Sequence, residues 1–98
     1  MTRTRNTELG LIRRHVVVDG RVQGVFFRDT TRREAERRSV AGWVRNSGDG
    51  TVEAIFEGET AAVEEMVRFC RTGPERAVVE GWEVSEETPE GLTGFEVR

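Results

Sequence analysis

The stretch Thr51–Glu57, TVEAIFE, alternates strictly, with Val52, Ala54 and Phe56 on one side and Thr51, Glu53, Ile55 and Glu57 on the other. Successive side chains of a strand point to opposite faces, so this period of two predicts a strand with one apolar face. The preceding SGDG, residues 47–50, is dense turn chemistry, because Asp-Gly tolerates the positive φ angles of a tight hairpin. VAGWVRN, before the turn, then reads as the other arm of the hairpin.

Helical patterns flank this hairpin on both sides. Upstream, FFRDTTRREAERRS is charged and free of breakers, which predicts a helix to about Ser39 with a thin inner face of Phe27, Thr31 and Ala35. Downstream, Val63, Met66, Val67 and Cys70 fall at i, i+3, i+4 and i+7, one apolar stripe on a helix that Gly73 and Pro74 terminate. Val16–Val18 mark a strand over 13–19, AVVEGWEVSEE a further strand, and GFEVR a short last one with Phe95 and Val97 on the same side. The order β-α-β-β-α-β plus a final β predicts an α+β fold: a ferredoxin-like split βαβ sandwich, with an antiparallel sheet of four to five strands and both helices packed on one face. Residues 1–11 are expected to form a disordered tail and residues 12–98 a single domain.

Composition narrows the function classes. A chain of 98 residues with a net charge of −3 is a poor electrostatic match for nucleic acid, where a basic face is expected. Few strand aromatics and no Tyr also argue against a sheet surface that stacks RNA bases. All fifteen basic residues are Arg, a bias that genome composition explains without reference to function. The lone Cys70 rules out an intrachain disulfide and fits a reducing cytoplasm. No apolar run approaches the length of a membrane span, and the N-terminus lacks the apolar segment of a secretory signal. The expected protein is therefore cytoplasmic, monomeric, and without membrane or nucleic-acid partners.

Chemistry concentrates in two stretches. In DGRVQGVFFRDT, Gly20 and Gly24 let the backbone bend sharply just before a helix. A loop that feeds a helix N-terminus turns several unpartnered N–H groups toward one point, a concavity suited to a phosphate-sized anion. Arg28, in the first helical turn, can add a charge-assisted fork to the same place. On spacing alone two readings stand: this anion cradle, or a plain strand-to-helix turn with Arg28 in solvent. The stretch is not a P-loop, since its second Gly comes too early and no Lys-Ser/Thr pair follows. Asn46, at the end of the hairpin's first strand, is likewise either turn chemistry or an amide aimed at a bound water.

Taken together the two stretches closely resemble the paired signature patterns of the acylphosphatase family. The first matches from Val18 through Gly20, Val22, Gln23, Gly24 and Val25 to Phe27 and Arg28. The second matches at Gly42, Trp43, Val44, Arg45 and Asn46, then at Gly50, Val52 and Gly58. The resemblance extends over residues 13–98 and implies hydrolysis of acyl phosphates to a carboxylate and inorganic phosphate. It implies that Gly20, Arg21, Val22, Gln23, Gly24, Val25 and Phe26 cradle the phosphate through backbone N–H groups. Arg28 would neutralise the phosphoryl oxygens and Asn46 would orient the attacking water. It implies a small-molecule substrate, inorganic phosphate as product and inhibitor, and neither cofactor nor metal. The same domain also resembles the start of larger hydrogenase-maturation proteins, a role that a 98-residue chain is not expected to fill.

Asp29, Thr30 and Arg38 depart from the family's usual choice of larger or aliphatic residues, without removing a catalytic group. Phe27 is expected in the core and Phe26 at the loop's edge, toward the substrate. His15, on a strand, is expected to be structural, Cys70 a small core residue, and the carboxylates of EVSEE solvated. Trp43 and Trp82 are expected to pack in the core or on a sheet face. No His/Cys cluster suggests zinc.

Overall fold

The computed structural model describes residues 10–98. Its elements are β1 (Leu11–Arg21), α1 (Phe27–Arg37), β2 (Ala41–Asn46), β3 (Val52–Glu59), α2 (Thr60–Thr72), β4 (Val78–Glu87) and β5 (Phe95–Val97). The expected order holds, and the strands form one sheet in the order β4-β1-β3-β2-β5. Residues 1–9 of the expected tail lie outside the described residues, and β1 begins at Leu11, two residues before the expected strand start at 13.

One feature of the sheet differs from the fully antiparallel expectation. The pairs β1–β3, β1–β4 and β2–β3 are antiparallel, but β5 runs parallel to β2. The cause is topological. β4 occupies one edge and β5 the other, so the chain crosses between edges and re-enters beside β2 in the same direction. No hairpin turn joins the two strands, so none imposes antiparallel pairing.

The helices cover the face formed by Val16, Val18, Val44, Val52, Ala54 and Phe56, all buried. From α1 come Phe27, Thr31 and Ala35, and from α2 Val63, Met66 and Cys70, as the helical spacing predicts. Phe56 stacks on Phe95 at 5.8 Å between ring centroids, which ties the short β5 to the core. Trp82 packs against the core and donates from Nε1 to the Val67 carbonyl at 3.1 Å. Arg38, one of the family departures, joins Glu34 of its own helix to Glu65 of α2, so an ion pair stands where an aliphatic residue is common.

β3 is less one-sided than its alternation suggests. On the face away from the helices Ile55 is only 2% and Glu57 only 6% exposed. Ile55 lies in register between His15 of β1 and Trp43 of β2. Trp43 itself lies beneath the guanidinium groups of Arg45 and Arg98, which hover 5.9 and 4.9 Å from its ring centroid. Glu57 accepts hydrogen bonds from the backbone N–H groups of Glu90, Gly91 and Leu92 at 3.1, 2.6 and 3.0 Å, and from Arg13 at 3.0 Å. Burial disfavours the ionised carboxylate, but these donors outweigh it and hold Glu57 below the usual carboxylate range. The connection between β4 and β5 is thus pinned to the middle of the sheet.

Candidate active site

β1 delivers the chain into the loop that precedes α1, and the glycines at the two ends of that loop do different jobs. Gly20 has φ +115°, and a Cβ there would lie 2.2 Å from the Val78 carbonyl oxygen. It is needed for the close approach of β4 at a bulge in the β1–β4 ladder. Gly20 and Arg21 still pair with Val79 and Val78, so the free loop is shorter than the expected 20–26 span. Gly24 has φ +77°, and a Cβ there would meet nothing within 4 Å, so its bareness keeps open space above the backbone.

Val22 and Val25 anchor the loop by burying their side chains, at 1% and 7% exposure. Phe26 caps α1 in a left-handed conformation, φ 64° and ψ 24°, without a side-chain cap bond. A non-glycine residue in that region is strained, and the core position of Phe27 beside it is what holds it there. Phe26 itself projects outward, 66% exposed. Thr30 donates the first helical backbone bond, to the Phe26 carbonyl at 3.0 Å, which leaves the N–H groups of the opening turn without helical partners.

Gln23 explains how the two sequence stretches meet. Its side-chain amide nitrogen donates to the carbonyls of Ser47 and Thr51, at 2.8 and 2.9 Å. These carbonyls flank the hairpin turn, which Ser47 and Thr51 close by a backbone bond of 2.8 Å. The Gln23 side chain is therefore a strut from the loop to the turn that follows Asn46, and only its backbone is left to serve an anion.

The result is a cleft of about 540 Å³ lined by Val22, Gly24, Phe26, Phe27, Arg28, Asp29, Arg32, Asn46 and Val97. It brings Arg28, near the start of α1, and Asn46, at the end of β2, together with the loop. Arg21, Gln23 and Val25 face instead a second cleft, shared with Gly24 and Arg76. Gly20 lines neither cleft.

Charge is arranged to leave one cation in the first cleft free. Asp29 pairs with Arg32 at 2.9 Å and with Arg33 at 3.2 Å, both on its own helix. Glu36 holds the other side of Arg32 at 3.1 Å. Arg28 takes part in no ion pair among the described residues. Beside Asn46, Arg45 is drawn to the far face of the sheet by Glu53, at 2.6 Å, where His15 Nε2 also lies 2.6 Å from that carboxylate. Burial opposes the charge on Glu53, but the bonds from His15 and Arg45 prevail and keep its carboxyl below the usual range. His15 is thus part of a structural cluster on the side away from the helices. Cys70 is buried, and burial pushes its thiol far up, so no thiolate nucleophile is at hand. Among the described residues no group of three His, Cys, Asp or Glu side chains could hold a metal. No helix among them is long and apolar enough to cross a membrane.

Sequence reasoning missed three residues that line the two clefts. Arg32 stands four residues after Arg28 on α1, and helical spacing places both on one face. Val97 reaches the cleft because β5 lies beside β2, with Val97 opposite Val44. Arg76 arrives by way of the Arg21–Val78 pairing. The last two depend on strand order, which leaves no local signal.

The acylphosphatase family model matches residues 14–97. The chain is 64% identical over 84 residues to an acylphosphatase of Rubrobacter xylanophilus, covering 85% of this chain and 76% of that one. It is 59% identical over 86 residues to an acylphosphatase of Gloeobacter violaceus, covering 88% and 92%. A solved structure of an acylphosphatase from Coxiella burnetii superposes with a TM-score of 0.87 at 36% identity, covering 93% of this chain and 96% of that one.

Proposed function

The chain belongs to the acylphosphatase family, hydrolases that act on the acid anhydride of a carboxylate and phosphate, and from that premise we propose how its cleft performs the reaction. The phosphoryl group sits against the part of the loop that the β1–β4 ladder leaves free, residues 22–26, where backbone N–H groups of the loop and of the first turn of α1 receive its oxygens. Arg28 adds a guanidinium fork to the same oxygens. The Asn46 amide accepts a hydrogen bond from a water molecule and holds its lone pair toward phosphorus.

Water attacks phosphorus as the bond to the acyl oxygen breaks. The carboxylate departs with the bonding electron pair, and the proton lost by water passes to solvent or to a phosphate oxygen. A carboxylate is a good leaving group, so no general acid is required. What remains is positioning and charge stabilisation, which dominate phosphoryl transfer. The proposed arrangement uses neither metal nor cofactor.

The observation that carries this reading is the shared cleft: an arginine with no ion pair among the described residues, a strand-end asparagine and a loop rich in free N–H groups line one space. The Gln23 strut fixes their spacing. The enzyme is proposed to act as a cytoplasmic monomer on small acyl phosphates. Hydrolysis of benzoyl phosphate in the presence of EDTA, inhibited competitively by inorganic phosphate, tests it. Activity that requires an added divalent ion would overturn it.

A further inference from the structure

The second cleft, of about 660 Å³, is lined by Arg21, Gln23, Gly24, Val25 and Arg76, with no carboxylate among the described residues on its wall. Arg21 and Arg76 are exposed and enter no ion pair among the described residues. Two unneutralised guanidinium groups on one concavity make an anion site without an assigned ligand. Gly24 lines both this cleft and the reaction cleft, and a Cβ there would meet nothing within 4 Å.

Sheet order gives the second cleft its place in the reaction. The phosphate loop leaves the end of β1, while Asn46 ends β2, two strands away past β3. Arg76 precedes β4, which flanks β1 on the opposite side, and the Arg21–Val78 pairing brings it alongside the loop. Attacking and leaving oxygens lie roughly in line through phosphorus. Water held at Asn46 therefore sends the acyl group away from β2 and toward the β4 side. The groove formed by Trp43, Arg45, Asn46, Glu53 and Arg98 is on the water's side and is excluded by the same geometry.

We infer that Arg21 and Arg76 form the subsite for the acyl portion of the substrate and select acyl phosphates whose acyl group carries a second anionic group, a carboxylate in particular. This rests on the proposed role of Asn46. Arg32, the other cation near the phosphate, is already held by Asp29 and Glu36 and is not free to do this.

The test compares benzoyl phosphate with 4-carboxybenzoyl phosphate, whose second carboxylate is too rigidly placed to attack its own anhydride. The wild-type enzyme is expected to favour the carboxylated substrate in kcat/KM by about fivefold at low salt, the scale of one exposed ion pair, and less at high salt. Arg76→Ala abolishes the preference while benzoyl phosphate turnover stays at the wild-type level, and Arg76→Glu inverts it. A preference that survives in both variants, or no preference in wild type that nonetheless hydrolyses benzoyl phosphate, overturns the inference and leaves the catalytic reading standing. Failure of wild type to hydrolyse benzoyl phosphate overturns both.

Discussion

Replacing Glu57 with Gln is expected to destabilise the fold far more than the loss of one surface charge, without harming the active site. The Glu57 side chain is only 7% exposed and bonds Arg13 at 3.0 Å and the N–H groups of Glu90, Gly91 and Leu92. Gln keeps the shape but turns an N–H₂ donor toward some of these donors. Removing one partner of a buried pair costs about 3–5 kcal/mol. Arg13 retains Glu87 at 2.8 Å and Glu90 at 3.7 Å, which places the expected loss at the low end, about 3 kcal/mol. For a domain of this size that is roughly 12–24 °C in Tm. Urea and thermal unfolding followed by tryptophan fluorescence read it directly.

The pH dependence supplies a second reading of the same substitution. The folded pKa of Glu57 is depressed, so its contribution is fully present above the ordinary carboxylate value and is lost as pH falls through the lower folded value. The stability gap between wild type and Glu57→Gln therefore narrows on acidification below about pH 4.5, and is flat from there to neutrality. Specific activity at 25 °C is expected to stay near wild type, because Glu57 pairs with the Arg13 end of β1 while the loop that leads to α1 leaves the other end. A destabilisation below about 0.5 kcal/mol, or a gap that widens in acid, refutes the reasoning.

Gln23→Ala removes both bonds to the hairpin turn, and steady-state kinetics should show kcat lowered about tenfold, the rate equivalent of 1–2 kcal/mol, with far-UV circular dichroism unchanged. Gly20→Ala puts a methyl group against the Val78 carbonyl and forces a positive φ on alanine, so chemical denaturation should report a loss of about 3 kcal/mol or more. Cys70, buried and with its thiol pushed up, should resist a thiol reagent in the native protein and react at once in denaturant.

Much of this fold was legible because its periodicities are local. Val63, Met66 and Cys70 announce the buried stripe of α2, and Phe27, Thr31 and Ala35 that of α1. The direction of β5 was not legible, because three residues carry no record of which edge they join. The burial of Glu57 was also hidden, since its hydrogen-bond donors arrive from residue 13 and from residues 90–92. At the site, the sequence motif singled out Arg28 and Asn46, which line one cleft, and Gly20, whose bareness admits the close approach of β4. The Asp29 carboxylate holds Arg32 and Arg33 of its own helix and leaves Arg28 free of it, a choice of partner that the motif does not specify. Such divisions of labour depend on contacts between elements, and no spacing rule reports them.

The division of roles between Asn46 and Arg28 is tested most directly by measuring kcat and the inhibition constant of inorganic phosphate for both alanine variants on benzoyl phosphate. Asn46→Ala should lose about a hundred- to thousandfold in kcat while phosphate affinity stays within about twofold, because in the proposed mechanism the amide positions water and not the anion. Arg28→Ala should weaken phosphate binding and turnover together. Turnover preserved in Asn46→Ala, or phosphate affinity that collapses equally in both variants, contradicts it.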